Sequence, residues 1–302
     1  MDDYVISGLL RATEDAAIAA SEWTGKGDKK AADAAAVKAM REAMNAIAFE
    51  GTVVIGEGER DEAPMLFIGE RLGKGGPEVD IAVDPLEGTN LTARGDCNSI
   101  TVLAVSPRNT LLHAPDTYME KIAVGPGIGR NVSLSKSVAE NVNAAAKALG
   151  KPVDDIVVTV LDRDRHAVLV EEIRKAGARV KLITDGDIYG AISTCTGGCD
   201  ILMGTGAAPE GVIAASAIKS MGGYMEGMLK FRNEEERERA AKYGLKDADK
   251  KMTMDDMVKG DESVFIATGV TQGSMLDGVK GKETHSVIIN KHGTRFIRNA
   301  RH

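Results

Sequence analysis

Cysteine, aromatic side chains and long hydrophobic runs are all scarce in this chain of 302 residues. Its three cysteines, an odd number, do not suit a disulfide framework and are typical of a reduced, cytoplasmic protein. No apolar run approaches the roughly 20 residues that span a bilayer, and the acidic start Met1-Asp2-Asp3 lacks the features of a signal peptide. The net charge of −7 argues against nonspecific nucleic-acid binding. We therefore expect a cytoplasmic protein with no nucleic-acid and no membrane partner.

The amino-acid composition is that of an ordinary globular protein, with 43% hydrophobic and 27% charged residues. The length allows one large or two medium domains, each with a substantial core. The character of the chain changes between Gly125 and Gly150, and from Lys151 onward strand and helix patterns alternate. We predict two domains, residues 1–150 and residues 151–302.

Hydrophobic periodicity predicts the elements of both domains. In the first domain, helices are predicted over 3–23 and from Gly27-Asp28 to Ile47, and strands over 52–55, 79–83 and 99–105. In the second domain, strands are predicted over 156–161, 179–183, 201–203, 264–267, 286–289 and 294–298, and helices over 165–176, 187–194 and 209–221. The charged segment 232–251 is interpreted as a solvated helix pair or an excursion. The predicted fold class is α/β, with an α+β N-terminal part.

The segment Asp84-Pro85-Leu86-Glu87-Gly88-Thr89 ends an apolar strand pattern with two carboxylates and a hydroxyl. Asp84 and Glu87 are three residues apart, so a single tight turn can aim both at one point. Gly88 has no Cβ, which leaves backbone amides accessible to an anion. Oxygen ligands beside an amide pocket are the means by which proteins hold Mg²⁺ or Mn²⁺ against a phosphate. The segment therefore predicts a metal-dependent phosphate site.

A second acidic segment follows the predicted strand 52–55 and reads Gly56-Glu57-Gly58-Glu59. In extended chain, Glu57 and Glu59 point the same way because side chains alternate with period two. Two carboxylates about 4 Å apart repel by about 4 kcal/mol at an effective dielectric constant near 20, and a divalent cation reverses that sign. The alternative is a solvated acidic loop. The metal interpretation is favoured because both acidic segments follow apolar strands and both contain glycine.

These segments belong to a longer ordered set of motifs that resembles class II fructose-1,6-bisphosphatase, the bacterial and cyanobacterial type. The shared superfamily signature of lithium-sensitive, metal-dependent phosphatases is Asp-Pro-Leu-Glu-Gly-Thr at 84–89. The motifs more specific to class II occur in the family's order over nearly the whole chain: Gly27-Asp28-Lys29 with Asp33, Gly56-Glu57-Gly58-Glu59 with Asp61-Glu62-Ala63-Pro64-Met65, Ala114-Pro115-Asp116 with Tyr118-Met119, Val124-Gly125-Pro126-Gly127, Asp185-Gly186-Asp187 and Ala208-Pro209-Glu210-Gly211.

The resemblance implies an enzyme that uses Mg²⁺ or Mn²⁺ to hydrolyse the 1-phosphate of D-fructose 1,6-bisphosphate, a small-molecule sugar bisphosphate, in gluconeogenesis and glycerol metabolism. It implies the layered αβαβα sugar-phosphatase fold, with a metal-binding first domain, a sugar-binding second domain and the site in the cleft between them. It also implies a homodimer or homotetramer.

The resemblance further assigns roles to matching positions. The metal ligands it implies are Asp33, Glu57, Asp84, Glu87 and Glu210. The catalytic groups are Thr89, which orients or deprotonates the attacking water, together with Asp33 and Glu57. The implied substrate contacts are Lys29, Glu87, Gly88, Thr89, Tyr118, Arg163, Asp164, Arg165, Asp185, Gly186, Asp187 and Ala207. For several of these the residues alone favour simpler roles, such as a helix-start charge for Glu210 or a plain turn at Asp185-Gly186.

Three alternatives remain. A dual fructose-1,6-/sedoheptulose-1,7-bisphosphatase differs by one carbon and one hydroxyl of substrate, which is a small difference for a pocket to reject. An inositol-phosphate phosphatase and a non-catalytic metal-binding scaffold are the others; the presence of all five acidic positions and Thr89 counts against the scaffold. Glu59 and Asp61 have no settled role, and Cys195 and Cys199 are interpreted as structural thiols rather than as a redox or metal pair.

Overall fold

The computed structural model describes residues 1–58, 65–245, 247 and 249–300. The predictions for Glu59 and Asp61, and the rest of the motif from Asp61 to Pro64, lie outside the described residues.

The helices of the described residues follow patterns of buried apolar positions and begin at side-chain caps where these are present. Asp2 and Asp28 accept hydrogen bonds from Tyr4 N at 3.2 Å and Ala31 N at 3.0 Å, which satisfies free amides at two helix starts. In chain order the helices are α1 (Asp3–Ser21), α2 (Lys29–Met44), α3 (Thr89–Arg94), α4 (Val138–Leu149), α5 (Ala167–Lys175), α6 (Asp187–Thr196), α7 (Ala208–Ser220), α8 (Glu234–Lys242) and α9 (Met254–Met257).

The strands are β1 (Glu50–Ile55), β2 (Arg71–Leu72), β3 (Glu78–Glu87), β4 (Ile100–Pro107), β5 (Tyr118–Val124), β6 (Val157–Leu161), β7 (Arg179–Ile183), β8 (Ile201–Ala207), β9 (Tyr224–Lys230), β10 (Met252–Thr253), β11 (Val264–Gly269), β12 (Glu283–Asn290) and β13 (Gly293–Ala300). They form two sheets with helices packed against each, so the predicted α/β class is confirmed. Among the described residues, no helix combines the length and apolar character that a membrane crossing requires.

The chain divides into two compact units. Unit 1 comprises residues 1–112 and 260–302, and unit 2 comprises residues 113–259. The sequence analysis placed a single boundary after Gly150, whereas the units of the structure divide after Leu112 and after Lys259. The difference arises because β5 pairs with β8 and β9 further along the chain, while β11 returns to pair with β4. Such long-range pairing leaves no local signal in the sequence. The functional labels given to the two domains remain predictions.

Unit 1 contains a sheet with strand order β13-β12-β11-β4-β3-β1-β2, in which β1 and β3 are parallel and the other neighbours antiparallel. Helices α1 and α2 pack on one another, and both contact β3. Their apolar faces meet the sheet in a core that includes Leu9, Met40, Phe49, Ile81 and Leu103. At about 25 cal/mol per Å² of apolar surface removed from water, this core supplies the main stabilisation of the unit.

Unit 2 contains a sheet with strand order β10-β9-β5-β8-β6-β7. A core that includes Ile122, Val142, Val158, Ile173 and Ile201 draws residues from β5, β6, β8 and β9 and from α4 and α5. Helices α6 and α7 pack on one another and on β5 and β8. The elements that were not predicted from the sequence are β2, β5, β9, β10, α3 and α9. The predicted strand 201–203 extends to Ala207, and the described part of segment 232–251 contains α8.

Candidate active site

Three elements of unit 1 carry the acidic residues that the sequence singled out. Asp33 lies in α2, Glu57 follows the end of β1, and Asp84 lies near the end of β3. Because β1 and β3 are parallel and in register from Glu50 opposite Glu78, their carboxyl ends meet at the same edge of the sheet. The side chains of Asp33 and Glu57 are hydrogen-bonded, and Asp84 is close enough to raise the pKa of Glu57 by its charge. The predicted convergence of the two acidic segments is therefore found in unit 1.

The end of β3 differs from the single tight turn that was predicted to aim Asp84 and Glu87 at one point. The strand continues through Glu87, with a shift of its register against β4 between Asp84 and Glu87. An irregularity of this kind re-aims side chains, and carboxylate oxygens of Asp84 and Glu87 lie within 4.8 Å of each other. Leu86 N donates to Asp84 Oδ1 at 3.1 Å, which fixes one carboxylate oxygen to the backbone.

The turn occurs at Gly88 instead, where φ is +82° and the backbone is left-handed. A residue with a side chain adopts this conformation only at a cost of about 1–2 kcal/mol. A Cβ at Gly88 would also lie 2.8 Å from Leu91 Cδ1. Thr89 is the first residue of α3, and its half-buried side chain therefore directly follows the two β3 carboxylates in sequence.

Burial and like charge govern the electrostatics of these carboxylates. Burial, together with the charges of Asp33 and Asp84 and the hydrogen bond with Asp33, raises the pKa of Glu57 to about 8. Burial also raises the pKa of Asp33, against the lowering effect of its hydrogen bond with Glu57. A carboxyl group in such a position keeps a proton at neutral pH unless positive charge replaces it. Hard carboxylate oxygens with mutual repulsion suit a divalent cation, and the residues present in unit 1 fit one.

Unit 2 carries the remaining predicted acidic residues. Asp187 is the first residue of α6, and Glu210 lies in the first turn of α7, after Pro209. Asp187 is buried and forms an ion pair with Lys121, which also donates to Ala207 O at 2.9 Å. Burial alone would raise the pKa of Asp187, but the charge of Lys121 and a hydrogen bond with Glu210 lower it below its usual range.

Two guanidinium groups lie close to one aromatic ring of unit 2. Arg165 Cζ is 4.8 Å and Arg232 Cζ is 5.3 Å from the centre of the Tyr118 ring, which are cation–π distances. Arg165 is held in place because Nε and Nη2 donate to Thr205 O at 3.0 and 2.8 Å. His166 joins β8 to the end of β6. Its Nδ1 lies 2.7 Å from Leu161 O, and its Nε2 accepts a hydrogen bond from Thr205 N at 2.8 Å.

The other predicted contacts of unit 2 occupy turns. Arg163 donates to Thr184 O at 2.7 Å and lies 3.8 Å from Asp185 Oδ1, so these two turns are joined. Gly186 precedes α6 with φ of +84°. Asp164 is exposed and begins a short 3₁₀ helix, Asp164–His166. In unit 1, Lys29 is exposed and is the first residue of α2.

Sequence analysis missed Lys121, His166 and Arg232. The one available signal was Lys121, a cation in the middle of an otherwise mostly apolar segment, 119–124. Cys195 and Cys199 do not form a disulfide, and burial raises the pKa of the Cys195 thiol to about 11. A thiol in that state is a poor nucleophile and a poor metal ligand.

The α/β fold and the converging carboxylates beside a glycine turn point to the class of metal-dependent phosphatases. A family model described as "Bacterial fructose-1,6-bisphosphatase, glpX-encoded" matches residues 4–302. The D-fructose 1,6-bisphosphatase class 2/sedoheptulose 1,7-bisphosphatase of Trichodesmium erythraeum (strain IMS101) is 42% identical, over 98% of this chain and 96% of its own. The same-named protein of Synechococcus sp. (strain JA-3-3Ab) is 43% identical, over 98% and 95%.

The chain therefore belongs to the bacterial fructose-1,6-bisphosphatase family, glpX-encoded. The predicted family and the predicted enzyme class, a phosphoric monoester hydrolase, are confirmed. Among solved structures, the inositol monophosphatase from Anabaena (Nostoc) sp. PCC 7120 is similar at 14% identity, over 62% of this chain and 68% of that one, with a TM-score of 0.32. That likeness is too distant to inform the site.

Proposed function

We propose that the chain hydrolyses the 1-phosphate of D-fructose 1,6-bisphosphate, with Mg²⁺ or Mn²⁺ held by Asp33, Glu57, Asp84, Glu87 and Glu210. The observation that carries this proposal is the arrangement in unit 1, where separate elements bring Asp33, Glu57 and Asp84 together, and where burial and then like charge raise the pKa of Glu57 to about 8. Strongly shifted pKa values cluster at functional sites, and a divalent cation would compensate the repulsion between these carboxylates. The bound cation would lower the pKa of water and neutralise charge that builds on the phosphoryl oxygens.

The residues of the chain then have distinct tasks around the reacting phosphate. The Gly88–Thr89 backbone positions the scissile phosphate, since Gly88 leaves its approach open. Thr89 Oγ1 accepts a proton from the attacking water and passes its own to the acidic pair of Asp33 and Glu57. The water oxygen bonds to phosphorus, the bond from phosphorus to the sugar oxygen breaks, and that sugar oxygen takes up a proton as fructose 6-phosphate leaves.

Unit 2 supplies the groups for the sugar and for its second phosphate. Arg163 and Arg165 present planar guanidinium groups, which pair well with phosphate. The carboxylates of Asp185 and Asp187 can accept hydrogen bonds from sugar hydroxyls, and Tyr118 offers a ring and a hydroxyl. The Asp164 and Ala207 backbones and Gly186 shape the turns that carry these groups, and Lys29 of unit 1 is a further phosphate contact.

The defining experiment measures phosphate release from a panel of substrates with Mg²⁺ and with Mn²⁺. Fructose 1,6-bisphosphate should be turned over fastest, ³¹P NMR should identify fructose 6-phosphate rather than fructose 1-phosphate as the product, and a chelator should abolish the reaction. Faster release from inositol monophosphate, or no release from fructose 1,6-bisphosphate by metal-loaded protein, would contradict the proposal.

A second candidate activity is favoured by the names of the relatives, which include sedoheptulose 1,7-bisphosphatase. Because one extra carbon and hydroxyl changes binding by only about 1–3 kcal/mol, the ratio of kcat/KM for the two sugars decides the matter. We propose fructose 1,6-bisphosphate as the better substrate. We further propose that the reaction serves gluconeogenesis and glycerol metabolism in the cytoplasm. We also propose that the protein is a homodimer or homotetramer, and light scattering of the purified protein tests this oligomeric state.

A further inference from the structure

One buried lysine of unit 2 takes no part in the predicted set of site residues. Lys121 lies in β5, between β8 and β9, and its side chain is only 3% exposed. Moving an ammonium group from water into a protein interior is strongly unfavourable unless hydrogen-bonding or charged partners compensate it. Its position in the central part of the sheet is therefore maintained by the contacts that it makes.

The Lys121 ammonium joins the starts of two helices. It forms an ion pair with Asp187, the first residue of α6, whose side chain is 4% exposed. It also donates to the carbonyl of Ala207 at 2.9 Å, and Ala207 is the residue that precedes α7. The side chain of Glu210, in the first turn of α7, is in turn hydrogen-bonded to Asp187. The Lys121 ammonium on β5 thus contacts the start of α6 directly, and it contacts the start of α7 both directly and through Asp187 and Glu210.

Two glycines leave room for the Lys121 side chain because they carry no Cβ. A Cβ at Gly206 would overlap Asp187 Oδ2 and lie 2.9 Å from Lys121 Nζ. A Cβ at Gly211 would lie 3.2 Å from Lys121 Cδ and 2.7 Å from Met119 Sδ. The slot therefore fits a slender lysine, and the wider guanidinium of arginine would require the surrounding backbone to shift.

We propose that Lys121 is a positioning residue, which orients Asp187 for sugar binding and the start of α7 for metal binding by Glu210. The inference rests on the proposed function, because it takes Asp187 as a substrate contact and Glu210 as a ligand. Lys121 touches neither the substrate nor the metal in this scheme. Its effect passes through the two carboxylates that it holds.

The test compares Lys121→Met, which removes the charge at nearly constant volume, with the control Lys230→Met. Lys230 lies on the neighbouring strand β9 and forms an exposed ion pair with Glu120 at 2.9 Å. Lys121→Met should raise KM for fructose 1,6-bisphosphate and weaken Mn²⁺ binding, measured directly by calorimetric titration, each by about tenfold or more. Lys230→Met should change neither value by more than twofold.

A double variant separates positioning from stability. Lys121→Met with Asp187→Asn removes the buried charge left by the single change, so its melting temperature should return toward that of the native protein. Weakened Mn²⁺ binding in this stable double variant would support the proposal. The proposal would be overturned if Lys121→Met lowered the melting temperature alone and the folded variant kept the native KM and Mn²⁺ affinity. It would also be overturned if neither variant folded. If the native protein itself failed to hydrolyse fructose 1,6-bisphosphate, the proposed function rather than this inference would fail.

Discussion

Thr89 is the residue on which the proposed proton transfer depends. Thr89→Ala should lower kcat by about 10²- to 10⁴-fold, the usual contribution of a positioned proton-transfer group, while Mn²⁺ affinity changes little. Thr89→Ser keeps the hydroxyl and is the matched control, so it should recover most of the rate. Steady-state phosphate release measures both. A kcat for Thr89→Ala within threefold of the native value would remove Thr89 from the mechanism.

Glu57 makes the stability of the metal-free protein dependent on pH. Its pKa is about 8 in the folded chain and 4.5 as the ordinary value, so the unfolded chain releases the proton first as pH rises. The free energy of unfolding is therefore highest below pH 4.5 for this group and falls between the two values, by up to about 1.4 kcal/mol per pH unit. Urea denaturation at pH 6 and pH 8.5 with a chelator present measures the fall.

Glu57→Gln should remove this contribution, whereas Glu78→Gln, at the exposed first residue of β3, should leave it. Added Mg²⁺ should also cancel the fall, because a cation takes the place of the proton. An unchanged pH dependence in Glu57→Gln would show that another group is responsible.

At the scale of elements, the junction of β3 and α3 carries several residues of the proposed site, Glu87, Gly88 and Thr89. Gly88→Ala should destabilise the protein by about 1–2 kcal/mol, because a residue with a side chain resists positive φ, and it should also lower kcat/KM, because the added Cβ meets Leu91. Gly281→Ala is the matched control, with φ of +64° and nothing within 4 Å of its Cβ. It should lose stability alone. Equal activities of the two variants would contradict a role for this junction in catalysis.

A comparison of the elements shows which helices and strands can be predicted from local hydrophobic patterns. Periodicity predicted α1, α2, β1 and β3, because their apolar residues recur on one face. It did not predict β5, because Glu120 and Lys121 interrupt the apolar pattern there. The burial of Lys121 in that strand is compensated by Asp187 and by the Ala207 carbonyl, both of which lie far away in sequence. A partner of that kind leaves no trace in the surrounding residues.

The convergence of acidic residues at the candidate site could be predicted from the sequence where those residues follow strand patterns. Asp84 and Glu57 were found because each follows an apolar run that ends abruptly. The shape of the turn was not found, because the register shift near the end of β3 depends on pairing with β4. Side-chain contacts such as the two guanidinium groups on Tyr118 likewise require the fold.

At the scale of the whole molecule, the division into two units predicts which fragment of the chain folds on its own. Unit 2 is one continuous segment, residues 113–259, with its own sheet and core. We expect the fragment 113–259 to fold cooperatively. The fragment 151–302 should not, because it lacks β5 and so separates β8 from β9. Thermal unfolding followed by circular dichroism compares them. Cooperative unfolding of 151–302, with none for 113–259, would favour the boundary predicted from the sequence.

The return of β11 to β4 has a consequence for how the protein is synthesised. β4 ends at Pro107, and its neighbour in the sheet begins only at Val264. At roughly 5–20 residues per second, a ribosome needs on the order of ten seconds or more to supply the missing strand. Throughout that interval the nascent chain exposes an unpaired strand edge, while the whole of unit 2 emerges and can fold first. Asp84 and Glu87 of β3, the proposed metal ligands, thus belong to the part of the molecule that is finished last, and a truncated product would carry them on an incomplete, aggregation-prone sheet.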